Sequence, residues 1–241
     1  MRAGEHAPAL YHVVHAVLSP AVKAVWRPTV TGLERVPARG PAILAANHQS
    51  YLDSYFLPAV LDRAVFYLGK TDYFRGWRRY FYEGVGVMPV DRVGGDAGER
   101  SLRRGQEVLE RGSLLGIYPE GTRSPDGRLY RGKTGPVRLA MRTGSPILPV
   151  AIVGSFRILP TGARVPKRLP LAIHVGEPLP LERWSADRAS MRAATDELMS
   201  RIASVSGQRY VDEYAATVKS GEVDPDVGGS TGDGRPARGA G

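Results

Sequence analysis

A histidine and an aspartate stand five residues apart in the stretch Asn47-His48-Gln49-Ser50-Tyr51-Leu52-Asp53. Imidazole takes or gives a proton near neutral pH. An ionised carboxylate on one ring nitrogen fixes the tautomer and leaves the other nitrogen free as a base. On a continuous helix five residues turn through about 500°, which leaves the two side chains about 140° apart. The pair therefore meets only where the backbone bends between them. Ser50 offers that bend: it is a good N-cap, and Asp53 follows three residues later, as in a capping box. His48 is then placed just ahead of a helix and Asp53 in its first turn. Taken alone, the same spacing also fits a loop histidine beside a capping aspartate that does no chemistry.

A second chemical stretch is Pro119-Glu120-Gly121-Thr122-Arg123-Ser124, which follows the apolar run Leu114-Leu-Gly-Ile-Tyr118. Gly121 lets backbone come close to a ligand. Thr122 and the neighbouring amides donate hydrogen bonds, and Arg123 supplies a cation. Glu120 cannot itself attract a phosphate and is better suited to orienting Arg92, Arg123 or a hydroxyl. The bland alternative is a strand-exit turn closed by an ion pair. With no Cys and no G-x-S-x-G elbow in the chain, no covalent intermediate on the protein is expected. Five histidines without Cys or H-E-x-x-H leave no recognisable metal-ligand set, so no metal is expected.

These two stretches, together with Val85-Gly-Val-Met-Pro-Val90 running into Asp91-Arg92 and Ile147-Leu-Pro-Val-Ala-Ile-Val153 with its Pro149, resemble the four blocks of the PlsC-type glycerolipid acyltransferases, in the same order over roughly residues 40–177. In the third block only Tyr118 departs, standing where the family has Phe. The resemblance implies His48 and Asp53 as the catalytic base dyad. It implies Arg92 as a guanidinium fork for an acceptor phosphate, although Arg92 paired with Asp91 or Glu120 would merely close a loop. Asn47, Glu120, Gly121, Thr122 and Arg123 join Arg92 as expected substrate-binding residues. Lys70, and Lys133 in a K-x-G segment, are further phosphate candidates that also read as surface lysines. The implied reaction moves a fatty acyl group from acyl-CoA or acyl carrier protein to the hydroxyl of 1-acyl-glycerol-3-phosphate, giving phosphatidic acid, with the thioester as co-substrate and no other cofactor. Glycerol 3-phosphate, another lysophospholipid or a glycolipid are alternative acceptors. A thioesterase, or a catalytically idle membrane-binding protein, are the readings from other classes. Implied partners are membrane surface lipids, the acyl donor and a phosphorylated glycerolipid, at the cytoplasmic face of the cell membrane as a peripheral or monotopic protein.

The elements that must position these residues follow from periodicity. Ala42–Ala46 reads as a buried strand delivering His48, where open α/β sheets place ligands. Further strands are expected at 64–68, 85–90, 114–118, 147–153 and 169–175. Helices are expected at 50–61, ended or kinked by Pro58, and at 97–111, 136–143 and 185–206. Pro149 lacks a ladder donor and is read as shaping its strand or an acyl pocket. His174 is read as a packed or edge histidine. Residues 9–26 form one helix, or two separated by Pro20, with Leu10, Val13, Val14, Val17 and Leu18 at helical spacing. That helix packs on the protein's own core or lies in a membrane plane; the resemblance favours the second. The basic-aromatic cluster at 73–80 fits a core-packed surface helix or a headgroup layer. The backbone amides at the start of the Ser50 helix are candidate oxyanion donors.

The totals bound these readings. With 241 residues, 42% hydrophobic and 24% charged, the chain suits one sizeable α/β domain. The expectation is a mixed, mostly parallel sheet flanked by helices, in an acyltransferase domain at 32–220. An amphipathic helical segment at 1–31 precedes it and a disordered tail at 221–241, rich in Gly, Asp, Pro and Ser, follows. A net charge of +9 and a pI near 10.0 suit anionic lipid, nucleic acid or phosphorylated small molecules. No recognised nucleic-acid module accompanies the charge, so no nucleic-acid partner is expected. No apolar run is long enough to cross a bilayer, and Glu5 and His6 spoil a secretory leader.

Overall fold

Ala42-Ile43-Leu44-Ala45-Ala46 carries no polar side chain and all five residues are buried, as a strand covered on both faces requires. In the computed structural model, which describes residues 7–90 and 96–222, this strand lies at the centre of the sheet. The strands are β1 (Thr29–Thr31), β2 (Ala42–Ala46), β3 (Val65–Lys70), β4 (Val87–Val90), β5 (Leu114–Ile117), β6 (Leu129–Tyr130), β7 (Ile147–Val153), β8 (Ala172–Val175) and β9 (Tyr210–Val211). The helices are α1 (Ala9–Trp26), α2 (Asp53–Val60), α3 (Arg78–Gly84), α4 (Ala97–Glu110), α5 (Gly135–Thr143), α6 (Ser155–Ile158), α7 (Arg188–Ser206) and α8 (Ala215–Ser220).

The main sheet runs β1-β8-β7-β2-β5-β3-β4. From β7 to β4 every pair is parallel, and β1 is parallel to β8; only β7 and β8 are antiparallel. This is the expected mixed, mostly parallel sheet. Its consequence is positional: β2, β3 and β5 all end at the same edge, so the segments holding His48, Lys70 and Tyr118–Arg123 emerge together. One face carries Ile43, Leu115 and Ile147 against Leu109, Leu139 and Leu198 of α4, α5 and α7. The other carries Leu44, Leu114 and Leu148 against Phe56 and Leu57 of α2. Pro149 sits where β8 parts from β7, its carbonyl accepting the Gly176 N–H at 2.8 Å.

Helix α1 is a single helix through Pro20, and much of its apolar stripe faces away from the core. Leu10, Val13 and Val17 are exposed, while Tyr11, Ser19 and Val22 are buried. The reason is hydrogen bonding. The last carbonyls of a helix lack partners within it, and α1 supplies them for α2: His15 Nε2 donates to Pro58 O at 3.0 Å and Ser19 Oγ to Ala59 O at 2.6 Å. The Tyr11 hydroxyl accepts the Val65 N–H at 3.3 Å. The more polar stripe therefore faces the protein and the more apolar one faces out. Helix α2 begins at Asp53, three residues later than expected. The two-residue strands β6 and β9, which pair in parallel, are too short to show any sequence period.

Candidate active site

The site begins with how β2 ends. Asn47 is wholly buried and continues the strand pairing with its side chain. Its Oδ1 accepts the Ile152 N–H at 2.7 Å, and its Nδ2 donates to Ile152 O at 3.0 Å and to Gln208 Oε1 at 2.6 Å. Asn47 was expected to touch substrate; an enclosed amide with three protein contacts instead fixes the point where His48 leaves the sheet. The turn after β5 grips the His48 backbone from the other side. Its N–H donates to Glu120 Oε1 at 2.8 Å and its carbonyl accepts from Ser124 N at 2.7 Å.

His48 and Asp53 meet as their spacing predicts. Nδ1 lies 3.0 Å from Asp53 Oδ2, which also accepts the N–H groups of Gln49 and Ser50 at 2.8 Å each. A carboxylate oxygen already receiving two amides is an acceptor, so Nδ1 carries the hydrogen and Nε2 keeps its lone pair. Half of the capping box is present, the carboxylate reaching back to Ser50. The other half is not: Ser50 Oγ donates to Leu159 O at 3.0 Å and accepts from Leu52 N at 3.3 Å. The amides of Gln49, Ser50 and Leu52 are thereby committed to protein acceptors. They are not the oxyanion donors expected at the start of this helix.

An aromatic stack backs the imidazole. The ring of Tyr118 lies 3.7 Å from that of His48 at an interplanar angle of 9°, and the ring of Tyr67 follows at 5.7 Å and 15°. The Tyr118 hydroxyl bonds Ser54 Oγ at 2.9 Å, tying the stack to α2 beside Asp53. Gly116 leaves the room: a Cβ there would lie 2.3 Å from the Tyr67 ring. Burial pushes both phenols well above their ordinary pKa, so both stay neutral.

Glu120 is buried and its hydrogen bonds among the described residues go to the backbone. Oε1 accepts from His48 and Oε2 from Tyr130 N at 3.0 Å, so both oxygens join two loops, and the expected orienting of Arg123 or a hydroxyl is not seen among the described residues. Burial pushes its carboxyl up to about 8, outweighing the two amides, which act the other way. Gly121, at φ +75°, packs under the Lys133 stem, where a Cβ would meet Cε at 3.0 Å. The Arg123 guanidinium stands 6.0 Å from the Tyr51 ring centroid, and Thr122 Oγ1 accepts from Lys219 Nζ at 3.0 Å. His48, Gly121, Thr122, Arg123, Lys70 and Lys133 share the wall of a cavity of about 910 Å³, whose apolar lining includes Leu68, Val87, Ile117 and Leu139. Arg92 lies outside the described residues. Sequence reasoning missed Tyr67, Ser54, Gln208 and Lys219. Tyr118 was visible only as an exchange of one aromatic for another.

A family model described as Acyltransferase matches residues 27–153, more than half of the chain. The chain belongs to the acyltransferase family. Among curated acyltransferases, a chloroplastic 1-acyl-sn-glycerol-3-phosphate acyltransferase of Brassica napus is 33% identical over 150 residues, covering 60% of this chain and 42% of that protein. The acyltransferase chain thus spans about two fifths of that relative's length. The 1-acyl-sn-glycerol-3-phosphate acyltransferase of Bacillus subtilis is 28% identical over 174 residues, covering 70% of this chain and 83% of that one. Among solved structures, the 1-acyl-sn-glycerophosphate (LPA) acyltransferase PlsC of Thermotoga maritima is similar with a TM-score of 0.66 and 25% identity, covering 79% of this chain and 77% of that one.

Proposed function

We propose that this acyltransferase moves a fatty acyl group from an acyl thioester to the hydroxyl of 1-acyl-glycerol-3-phosphate, giving phosphatidic acid, with His48 as the base. The observation that carries the reading is the 3.0 Å contact of His48 Nδ1 with Asp53 in the wall of a cavity that is cationic in one part and apolar in another. An alcohol is a poor nucleophile at neutral pH and needs a base within hydrogen-bond reach. Nε2 takes the acceptor O–H proton as the oxygen bonds to the thioester carbonyl carbon. Asp53 holds the ring and stabilises the imidazolium. As the tetrahedral intermediate collapses the C–S bond breaks, and the imidazolium returns the proton to the departing thiolate. Arg123, with Lys70 and Lys133 on the same wall, offers donors to the acceptor phosphate, turning an encounter into a positioned attack. The apolar lining suits an acyl chain. Arg92 remains a proposed phosphate ligand on sequence grounds.

The protein is further proposed to work on a lipid surface. No helix among the described residues is long and apolar enough to cross a membrane. Val13 and Val17 on α1, and Trp77 and Tyr80 beside and on α3, are each more than 60% exposed. Leu10 of α1 packs against Gly84 of α3, so these side chains belong to neighbouring surfaces, and Arg75, Arg78 and Arg79 are exposed beside them. Such a surface fits the headgroup layer of anionic lipid, a peripheral attachment.

Thiol release from palmitoyl-CoA tests the reaction, and the absence of Cys keeps the protein's own signal low. Release should require lysophosphatidate. His48→Ala should abolish it, and Asp53→Asn should lower kcat by a factor on the order of 10⁴. Release without acceptor would make the protein a thioesterase, and preference for glycerol 3-phosphate would replace the acceptor. Full activity in His48→Ala would sink the mechanism.

A further inference from the structure

The segment after α7 is held against strand β6 and Arg131, which follow the Pro119–Ser124 turn. Strand β9 pairs with β6, Arg131 N donates to Glu213 O at 3.0 Å, the Arg131 guanidinium lies 5.6 Å from the Tyr214 ring centroid, and Ala215 is fully buried. Helix α8 follows and brings Lys219 to Thr122 Oγ1 at 3.0 Å. Both lie in a group of like charges. Burial first, then the Arg123 and Lys70 charges, lower the Lys219 pKa, and among carboxylates it is Glu120 that opposes the shift. That carboxyl is itself kept largely protonated at neutral pH.

The contrast with the rest of the surface is informative. Arg79, Arg104, Arg192 and Arg201 each pair with a carboxylate on their own helix, and Arg138 and Arg142 share Glu99. Among the described residues, Lys70, Arg123, Lys133 and Lys219 have no carboxylate within ion-pair distance. Cations gathered beside a cavity without anionic partners repel one another and lower the cost of bringing in an anion. Lysine Nζ has three donors, and Thr122 takes one, so two remain for phosphate oxygens.

We propose that Lys219 is a phosphate ligand of the substrate site, delivered from beyond the family-matched residues by α8. This rests on the phosphate-bearing substrate proposed above. Two sources share the chemistry: the phosphomonoester of the acceptor and the phosphates of CoA. Thr122 then acts as a positioning residue, aiming the ammonium group.

The test uses the full chain with Lys219→Ala, Lys219→Gln and Lys219→Arg, the Gln variant keeping a donor for Thr122 without charge. The preference for lysophosphatidate over monoacylglycerol, as a ratio of kcat/KM, should fall about tenfold in Ala and Gln and recover in Arg, as loss of one charge-assisted hydrogen bond implies. If the drop appears instead in the preference for palmitoyl-CoA over the phosphate-free N-acetylcysteamine thioester, the anion is that of CoA and the assignment of Lys219 stands. Unchanged ratios in both arms overturn it, as does an equal loss on every substrate, which would mark a structural role. Inorganic phosphate at fixed ionic strength should raise the Tm of wild type more than that of Lys219→Gln. That readout needs no turnover. A Lys219-dependent shift in a protein that transfers no acyl group would overturn the reaction and keep the anion site. Equal shifts would overturn the site.

Discussion

At His48 the imidazole has a carboxylate at its edge and an aromatic ring on its face, and the two act on the same charge. In the proposed reaction, as His48 becomes imidazolium, Asp53 stabilises it through Nδ1 and the Tyr118 π-face through stacking, an effect worth about 0.5–2 kcal/mol. Tyr118→Leu should therefore lower kcat by roughly 2- to 30-fold. Tyr118→Phe keeps the ring and loses only the Ser54 bond, so it should cost about 1 kcal/mol of stability and little kcat. Equal rates for the two variants would remove the stack from the mechanism. Glu120 gives a second residue-scale prediction. Its carboxyl is at about 8 folded against an ordinary 4.5. Between those values the unfolded chain has released a proton that the folded protein keeps, so stability is full below pH 4.5 and is lost as pH rises through 8. Glu120→Gln should have a lower Tm, since its amide faces an N–H, but a flatter dependence on pH across that window. Parallel curves for the two proteins would refute this. The contact of His48 with Asp53 was legible because five residues of local chain decide it. The contacts of Asn47 with Ile152 and of Glu120 with His48 were not, because those partners stand 105 and 72 residues away.

For whole elements, legibility followed length and uniformity. Strand β7 and helix α1 occur over the residues their patterns mark, and β2 over its apolar run. The bounds of α2 moved because the Ser50 hydroxyl donates to Leu159 O and accepts from Leu52 N instead of capping the helix. The outward facing of Leu10, Val13 and Val17 on α1 departs from packing on the protein's own core, one of the two readings its pattern allowed, because the end of α2 needed donors. Packing at Gly116 carries the next prediction. Gly116→Ala forces a methyl against the Tyr67 ring, and overpacking of this kind costs about 1–3 kcal/mol. Chemical denaturation should show that loss, together with a lower kcat as Tyr67 pushes the stack. An unchanged midpoint and rate would mean that Tyr67 swings aside freely.

Over the whole molecule, the parallel order from β7 to β4 sets the His48 and Pro119–Arg123 segments at one edge, which the alternation of strand and helix patterns foretold. Such patterns left open whether the apolar side chains of α1 and of the 73–80 cluster face out or in. Vesicles of anionic phospholipid should bind the protein in flotation assays. Trp77→Ala with Tyr80→Ala should weaken binding several-fold, and added salt should weaken it further as the arginines are screened. Equal flotation of the double variant would place the lipid contact elsewhere.

Gln208 has a consequence for the order of assembly. It accepts from Asn47 at 2.6 Å and donates to Gly127 O at 2.8 Å, while Gln49 also donates to Gly127 O at 3.1 Å. The neighbours of His48 are thus locked by a residue 161 positions after Asn47. Contacts so distant in sequence form late, after the entropy of closing a long loop has been overcome. On a ribosome making the chain from its N-terminus, the sheet is able to gather while the residues around His48 still wait for their last tie. A protein built in this order closes its candidate site only once residue 208 has joined it.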